Sequence, residues 1–319
     1  MRRAYRLWLI GIVLAAVACS SSAQRSSDLG PEPPDLGASG WTATGAQTAF
    51  PSPLTVDKAT ALNIDAAYLY WITTDGFLYQ APRAGGEVRR VALPAPATHI
   101  WVHNDIFVGW TDGSDNTTIT GFDPATGSVT TVNHKPGALL GLIGGQHGYS
   151  FAVATPGGTL VQTCLDAGCA AEQNIPSEFK SLALDLPTMT YYVLTVDGLR
   201  TCTVNGGCPA QAAAVPAATR FVSALPGRYY LLDSNGQASG PGGSPNLGTA
   251  AAPNPIKFEA VDGNGLLGTW SNGTKLAQTV LDPGATTTEI AAACTDFETG
   301  ATGRPFYCLV GSSTIQVMP

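Results

Sequence analysis

The chain is poor in charge, in basic residues and in histidine, and each shortage excludes a class of function. Only 12% of its 319 residues are charged, and 16 basic residues stand against 23 acidic ones. Such a chain is not expected to bind nucleic acid or to dock electrostatically on a membrane. It has four histidines and no GxSxG, HExxH or P-loop pattern. We therefore expect no catalytic residue, no cofactor, no metal and no enzymatic activity.

Amphipathic helical patterns are also missing after the first 18 residues. The chain has instead 37 Gly and 23 Pro, with abundant Thr, Val and Ala. This composition suits short strands joined by tight turns and predicts an all-β protein.

The first 18 residues have the features of a secretory signal. Three arginines within the first six positions precede an apolar stretch at 7–17, which is too short to span a bilayer. The stretch ends in Ala16-Val17-Ala18-Cys19, which resembles the lipobox of bacterial lipoproteins, although Leu is more common than Ala at its first position. The resemblance implies that Cys19 is lipidated and becomes the new N-terminus. Ordinary cleavage nearby is the alternative, and the flanking residues fit a twin-arginine signal poorly.

Residues 19–40 are rich in Ser, Pro and Gly and predict a disordered linker behind the lipidated cysteine. Ser20 follows Cys19, which in lipoproteins implies sorting to the outer membrane, on its periplasmic or its surface side. The mature chain would lose three of its 16 basic residues and keep all 23 acidic ones, so its net charge would be near −10.

A glycine-type turn recurs seven times through the rest of the chain. From Gly76 the steps to the next turn are 37, 44, 41, 38, 37 and 38 residues. A period near forty with strand-like flanks predicts a β-propeller over 41–319, with seven blades favoured over six or eight. The turns are Asp75-Gly76, Asp112-Gly113, Pro156-Gly157-Gly158, Asp197-Gly198, Asn235-Gly236, Asn272-Gly273 and Gly311-Ser312.

Each repeat reads as four strands, with the glycine turn between the second and the third. The last repeat holds only three, the third being Thr314–Met318. We expect a segment near 47–56 to supply the missing strand and close the ring. Aromatic side chains of the second strands are expected to form the core between blades. Trp41 and Trp101 fit no such position and are candidates for exposed side chains.

This pattern resembles secreted bacterial propellers with aromatic second strands and Asp-Gly hairpins, near the NHL, YncE-like and quinoprotein-like groups. The resemblance covers about 45–319 and rests on the rhythm of the repeats. The WD40 signature is absent, since no Gly-His precedes a Trp-Asp pair.

Seven cysteines leave six once Cys19 is set aside, and an even number in an exported protein suggests disulfides. Fifteen pairings are possible, and local spacing favours Cys164–Cys169, Cys202–Cys208 and Cys294–Cys308. A metal site is the alternative, but the spacing does not match a zinc knuckle.

The candidate binding site is a ring of carboxylates at one mouth of the channel, where it would take a cation or a cationic ligand. Its members follow the first strand in four blades, where Asp also caps turns without binding anything. His103 with Asp105 is the best acid–base candidate, and a polar turn is the alternative. Residues 112–116 loosely resemble a calcium loop but lack its spacing. The ring consists of Asp65, Asp105, Asp185 and Asp262.

These features favour a monomeric, lipid-anchored propeller that binds an envelope protein and acts as a scaffold. A second hypothesis is a module that binds an extracellular glycan or a small molecule, and a third is a hydrolase or lyase acting in the channel.

Overall fold

The computed structural model describes residues 40–318, apart from 51, 103, 146–147, 166–167, 186, 205, 241–252, 264, 281–287, 293 and 300–304. The predicted signal at 1–18, the lipidation site Cys19 and nearly all of the predicted linker lie outside the described residues. Within them no helix occurs. Accordingly, the described part of the chain contains no helical segment long and apolar enough to cross a membrane.

Twenty-eight strands make up the described chain. The first three sheets are built from β1 (Thr42–Thr48), β2 (Leu54–Thr55), β3 (Ala59–Ile64), β4 (Tyr68–Thr73), β5 (Phe77–Pro82), β6 (Gly86–Ala92), β7 (His99–Val102), β8 (Ile106–Thr111), β9 (Asn116–Phe122), β10 (Val129–Pro136), β11 (Leu139–Gly145), β12 (Gly148–Thr155), β13 (Gly158–Leu165), β14 (Gly168–Cys169) and β15 (Gln173–Ile175), except that β2 joins the last sheet. The remaining strands are β16 (Phe179–Asp185), β17 (Thr190–Thr195), β18 (Gly198–Thr203), β19 (Thr219–Leu225), β20 (Arg228–Asp233), β21 (Ala238–Ser239), β22 (Lys257–Gly263), β23 (Gly265–Ser271), β24 (Lys275–Val280), β25 (Thr288–Ala292), β26 (Cys294–Thr299), β27 (Phe306–Val310) and β28 (Thr314–Met318).

These strands form seven antiparallel sheets, one for each sequence repeat. The first strands of the seven sheets, β3, β7, β11, β16, β19, β22 and β26, contact one another in turn, and β26 returns to β3. Each sheet is therefore a blade whose first strand lines a central channel. This confirms the predicted all-β, seven-bladed propeller. In the described residues, blades 4 and 5 have three strands each.

The recurring turns lie between the second and third strands, as predicted. Gly76 has φ +80° and Gly311 has φ +61°, a region that glycine adopts without the steric cost of a Cβ. The second blade differs, because there the positive φ, 56°, belongs to Asp115. Antiparallel order puts these turns on one face of the ring, called here the hairpin face. The turns after the first strands lie on the opposite face.

The N-terminal strap, residues 41–56, runs outside three blades. The backbone N–H of Trp41 bonds to Thr126 in blade 2, β1 pairs with β6 as a fifth strand of blade 1, and β2 pairs with β28 in blade 7. The strand that completes blade 7 is thus Leu54–Thr55, at the end of the segment 47–56. Gln47 and Thr48, which that segment includes, belong to blade 1 instead.

The core lies between the blades and is built largely from the second strands, as expected. Tyr70 and Trp110 pack in one cluster between blades 1 and 2, and Trp270 packs between blades 5 and 6. Trp41 is not exposed, because its ring packs against the first of these clusters and its Nε1 donates to Pro124 O at 3.0 Å. Trp101 is also partly buried and packs between blades 2 and 3.

Candidate functional site

The central channel contains a cavity of about 550 Å³. First strands line it, because alternate residues of each point toward the axis. The wall is uneven in character. Blades 3 to 5 contribute mostly apolar side chains, such as Phe179, Leu182 and Phe221. They also contribute Lys180, whose ammonium donates to the carbonyl of Thr219 at 3.1 Å. Lys257, Glu259 and Glu298 come from blades 6 and 7.

The charged wall is organised around Lys257, at the start of β22. Its Nζ lies 2.5 Å from Glu298 Oε1, 3.0 Å from Asp296 Oδ1 and 3.4 Å from Glu259 Oε1. It also donates to the carbonyl of Phe297 at 2.6 Å. One ammonium group therefore faces three carboxylates, and we call Lys257, Glu259, Asp296 and Glu298 the Lys257 cluster.

The cluster also joins the last blade to the first. Asn63 Nδ2 of β3 donates to Glu298 Oε1 at 3.0 Å, and the backbone N–H of Leu62 donates to Asp296 Oδ2 at 2.8 Å. Within the channel, Thr299 Oγ1 donates to Glu259 Oε2 at 3.0 Å. Asp296 is the best satisfied of the three carboxylates, whereas Glu259 has, among the described residues, the ammonium at 3.4 Å and one hydroxyl.

Burial and mutual charge shift the titration of the cluster. Burial opposes the charged form of Lys257, but the charges of Asp296, Glu298 and Glu259 outweigh it and hold its pKa well above the ordinary value. Burial, followed by the charge of Glu259, raises the pKa of Glu298 well above its usual range. The charged form of Lys257 is therefore favoured, and the mutual repulsion of the carboxylates favours proton uptake by Glu298.

On the opposite side, His99 and Trp101 of β7 line the cavity. Burial lowers the pKa of His99, which favours the neutral imidazole, and its Nδ1 lies 2.9 Å from Thr98 Oγ1. The indole Nε1 of Trp101 is buried and has no hydrogen-bond acceptor among the described residues.

The structure places two of the four predicted ring aspartates, Asp65 and Asp105, in turns after the first strands, and Asp185 is the last residue of its first strand, β16. Asp65 Oδ1 accepts from the N–H groups of Ala67 and Tyr68 at 2.7 and 2.6 Å, and Tyr70 bonds to its other oxygen. These contacts are those of a turn cap. Asp105 accepts from Thr130 Oγ1 at 3.2 Å.

Asp185 is 2% exposed and accepts from Thr188 Oγ1 and from the backbone N–H of Gly227 in the next blade. Asp262 lies within β22, one residue before its end, and its side chain is outside the described residues. None of the four lies on the cavity wall as described. The carboxylates that do line the channel are Glu259 and Glu298.

The predicted acid–base pair falls outside this description, because His103 is not among the described residues. No group of three or more His, Cys, Asp or Glu among the residues described could hold a metal ion. In the 112–116 loop, Asp112 Oδ1 accepts from the N–H groups of Ser114 and Asn116 at 2.8 and 3.0 Å. The bonds from Asn116 and Ser114 lower the pKa of Asp112, so this carboxylate caps its own turn.

The six cysteines outside the signal region form three disulfides, Cys164–Cys169, Cys202–Cys208 and Cys294–Cys308. The first two close turns after the third strands of neighbouring blades. The third connects β26 to β27 and lies within a buried cluster with Phe297 and Phe306. Disulfide bonding is the mark of an oxidising compartment.

No family model matches the chain, and no curated protein matches it. Solved structures do. The WD40 propeller domain of Doa1 aligns with a TM-score of 0.64 at 7% identity, over 83% of this chain and 95% of that one. A catalytically inactive virginiamycin B lyase from Staphylococcus aureus, with quinupristin, aligns with a TM-score of 0.61 at 10% identity, over 83% of this chain and 97% of that one. These two likenesses establish a β-propeller.

A third structure, PorZ, a surface component of the type-IX secretion system of Porphyromonas gingivalis, aligns with a TM-score of 0.58 at 13% identity. The alignment covers 84% of this chain and 39% of PorZ. At such identities the likeness shows the fold alone, and membership of the NHL, YncE-like or quinoprotein-like groups stays a prediction.

Proposed function

We propose that the protein is a scaffold of the bacterial cell envelope, anchored to the outer membrane through a lipid on Cys19, which binds a partner protein and catalyses no reaction. The observation that carries the proposal is the N-terminal strap. A tether that leads from a lipid anchor would join the propeller at residue 41, where the strap bonds to blades 2, 1 and 7 in succession. Load on the tether would be shared by three blades.

The three disulfides support the exported location that this role needs. The propeller fold supports the role in general, since its rigid faces of short turns suit recognition of other proteins. As to catalysis, Lys257 is paired with Glu259 and Glu298 and is held protonated rather than as a free base, and Lys180 donates to backbone carbonyls.

The hairpin face is the surface that we assign to the partner. The two most exposed large apolar residues of the described chain are Val196, 55% exposed, and Ile256, 50% exposed. Val196 lies in the turn between β17 and β18, and the backbone N–H of Ile256 bonds to Ser271 at the end of β23. Both side chains therefore emerge on the hairpin face, where an apolar partner surface would cover them.

The test is crosslinking of the tagged protein in its own membranes, followed by purification and mass spectrometry. We expect one envelope protein to be recovered in stoichiometric amount. Val196→Glu and Ile256→Glu should each reduce its recovery. Val132→Glu is the matched control, since Val132 is 39% exposed but lies on β10 at the outer rim.

Cys19→Ala tests the anchor in the same experiment. The variant should leave the membrane fraction and lose the crosslinked partner, while the purified domain still folds. Recovery of no stoichiometric protein from wild type, or equal recovery from the Val196, Ile256 and Val132 variants, would contradict the proposed scaffold or its assigned face.

A further inference from the structure

The channel cavity has the size and lining of a small-molecule binding site, and the proposed scaffold function does not involve it. Its volume of about 550 Å³ lies within the range of pockets that enclose drug-sized ligands. One side is mainly aromatic and aliphatic, with the ammonium of Lys180 bonded to a backbone carbonyl, and the other side carries the Lys257 cluster. A molecule with an apolar body and one polar end would contact both sides at once. Ligand pockets are typically built in this way, with mostly apolar walls and a few polar groups that fix the orientation of the ligand.

The charge balance indicates which polar end fits. Three carboxylates share the single ammonium of Lys257, and unmatched charge in a partly buried site is costly. Asp296 is satisfied by Lys257 and by the backbone N–H groups of Leu62 and Phe297. Glu259 is less well satisfied, because the ammonium lies 3.4 Å away and its one other bond to a described residue is from Thr299. With all three carboxylates ionised the cluster has an excess of two negative charges, and a second cation beside Glu259 would halve that excess.

Two observations outside the cluster also point to a ligand. The first is the opposite wall, where Phe179 and Phe221 face a cavity although both are apolar and only partly buried. Aromatic faces attract a cation and cover an apolar body. The second is Trp101, a wall residue whose buried N–H has no acceptor among the described residues, a defect that a folded protein rarely keeps without a reason.

We propose that the channel binds a primary organic amine, with the ammonium group between Glu259 and Glu298 and an aromatic or aliphatic body against Phe179 and Phe221. Ile256 of the hairpin face lies at the edge of this cavity, but the tests below change neither Ile256 nor Val196, so the scaffold and the amine site can be tested independently.

Isothermal titration of the full-length protein with tyramine and with tyrosol tests the proposal. The two molecules share the phenol ring and differ in an ammonium group against a hydroxyl. We expect tyramine to bind at one site at least tenfold more tightly than tyrosol at pH 7. Equal affinities for the two molecules would overturn the proposal. So would the absence of tyramine binding at about 10 mM, because the binding free energy would then be weaker than ~3 kcal/mol.

Glu259→Gln assigns the site within the channel. It removes the charge and keeps the shape, so the affinity for tyramine should fall about tenfold and that for tyrosol should not change. Glu289→Gln is the matched control, because Glu289 is an exposed carboxylate of blade 6 that pairs with Lys275. Unchanged tyramine affinity in a folded Glu259→Gln protein would contradict the proposal. Should that variant fail to fold, the comparison of tyramine with tyrosol on wild type still decides.

Discussion

The carboxylate of Asp296 accepts the backbone N–H of Leu62 at 2.8 Å, although 234 positions separate the two residues in sequence. The bond crosses the seam where the last blade meets the first. On the outer side of the same seam, β2 pairs with β28. The ring is therefore closed twice, by hydrogen bonds from the channel wall and by strand pairing at the rim, and each closure can be tested alone.

Deletion of residues 41–57 should abolish cooperative unfolding of the propeller. The deletion removes the fourth strand of blade 7, the fifth strand of blade 1 and the packing of Trp41, and it leaves two open sheet edges. Circular dichroism during a thermal or urea titration measures the transition. Deletion of residues 20–40, which keeps the strap, is the control and should retain the wild-type midpoint. An unchanged melting temperature after the 41–57 deletion would refute the role of the strap.

The inner closure depends on Lys257. We expect Lys257→Met to destabilise the folded protein by about 3 kcal/mol at neutral pH, because three carboxylates then face one another without a cation. Repulsion favours proton uptake by the folded variant, so its stability should fall as pH rises from about 4 to 7. The deficit relative to wild type should therefore be smaller at low pH.

Urea titrations at several pH values measure this difference. Lys275→Met is the control, since Lys275 and Glu289 form an exposed pair and such pairs contribute about 0–1 kcal/mol. A loss of stability in Lys257→Met that does not depend on pH would contradict the charge argument, because lost packing alone would then explain it.

Much of the fold could be predicted from the sequence, because its determinants are local. The spacing of the glycine turns gives the number of blades, and aromatic residues such as Tyr70 and Trp110 lie next to those turns in the second strands. Cysteine spacing likewise indicates pairs that close short loops. Each of these features needs only a few neighbouring residues to be recognised.

The channel site could not be predicted in the same way, because it depends on which blades become neighbours. Lys257 and Glu259 alternate in one strand, and Asp296 and Glu298 alternate in another. Charged residues at alternate positions of strands expected to line the channel were the available signal for this site. The aspartates after the first strands looked more regular, but Asp65 and Asp185 are bound by neighbouring turn groups, and regular spacing there reflects turn capping.

Acid should destabilise the protein through His99. Burial lowers its pKa in the folded state, so below about pH 6.5 the unfolded chain binds a proton that the folded chain does not. Stability should decrease as pH falls from 6.5 to 5, by at most about 1.4 kcal/mol per pH unit from this residue.

His99→Asn should remove that part of the pH dependence. Unfolding free energies at pH 7, 6 and 5 measure it, with His134→Asn on the outer strand of blade 2 as the matched control. The same slope in wild type and in the His99 variant would show that the imidazole is not responsible.

The three disulfides should differ in their resistance to reduction. Cys169 is exposed, whereas Cys294 and Cys308 are fully buried in the core of blade 7. A reductant followed by iodoacetamide under native conditions should label Cys164 and Cys169 first, and should label Cys294 and Cys308 only after global unfolding. Mass spectrometry of the digested protein gives the order, and labelling in urea provides the reference in which all six react. Equal labelling rates under native conditions would mean that β26 and β27 open locally. In that case the double variant Cys294→Ser/Cys308→Ser should lower the free energy of unfolding by much less than the ~3 kcal/mol expected for a loop of this length.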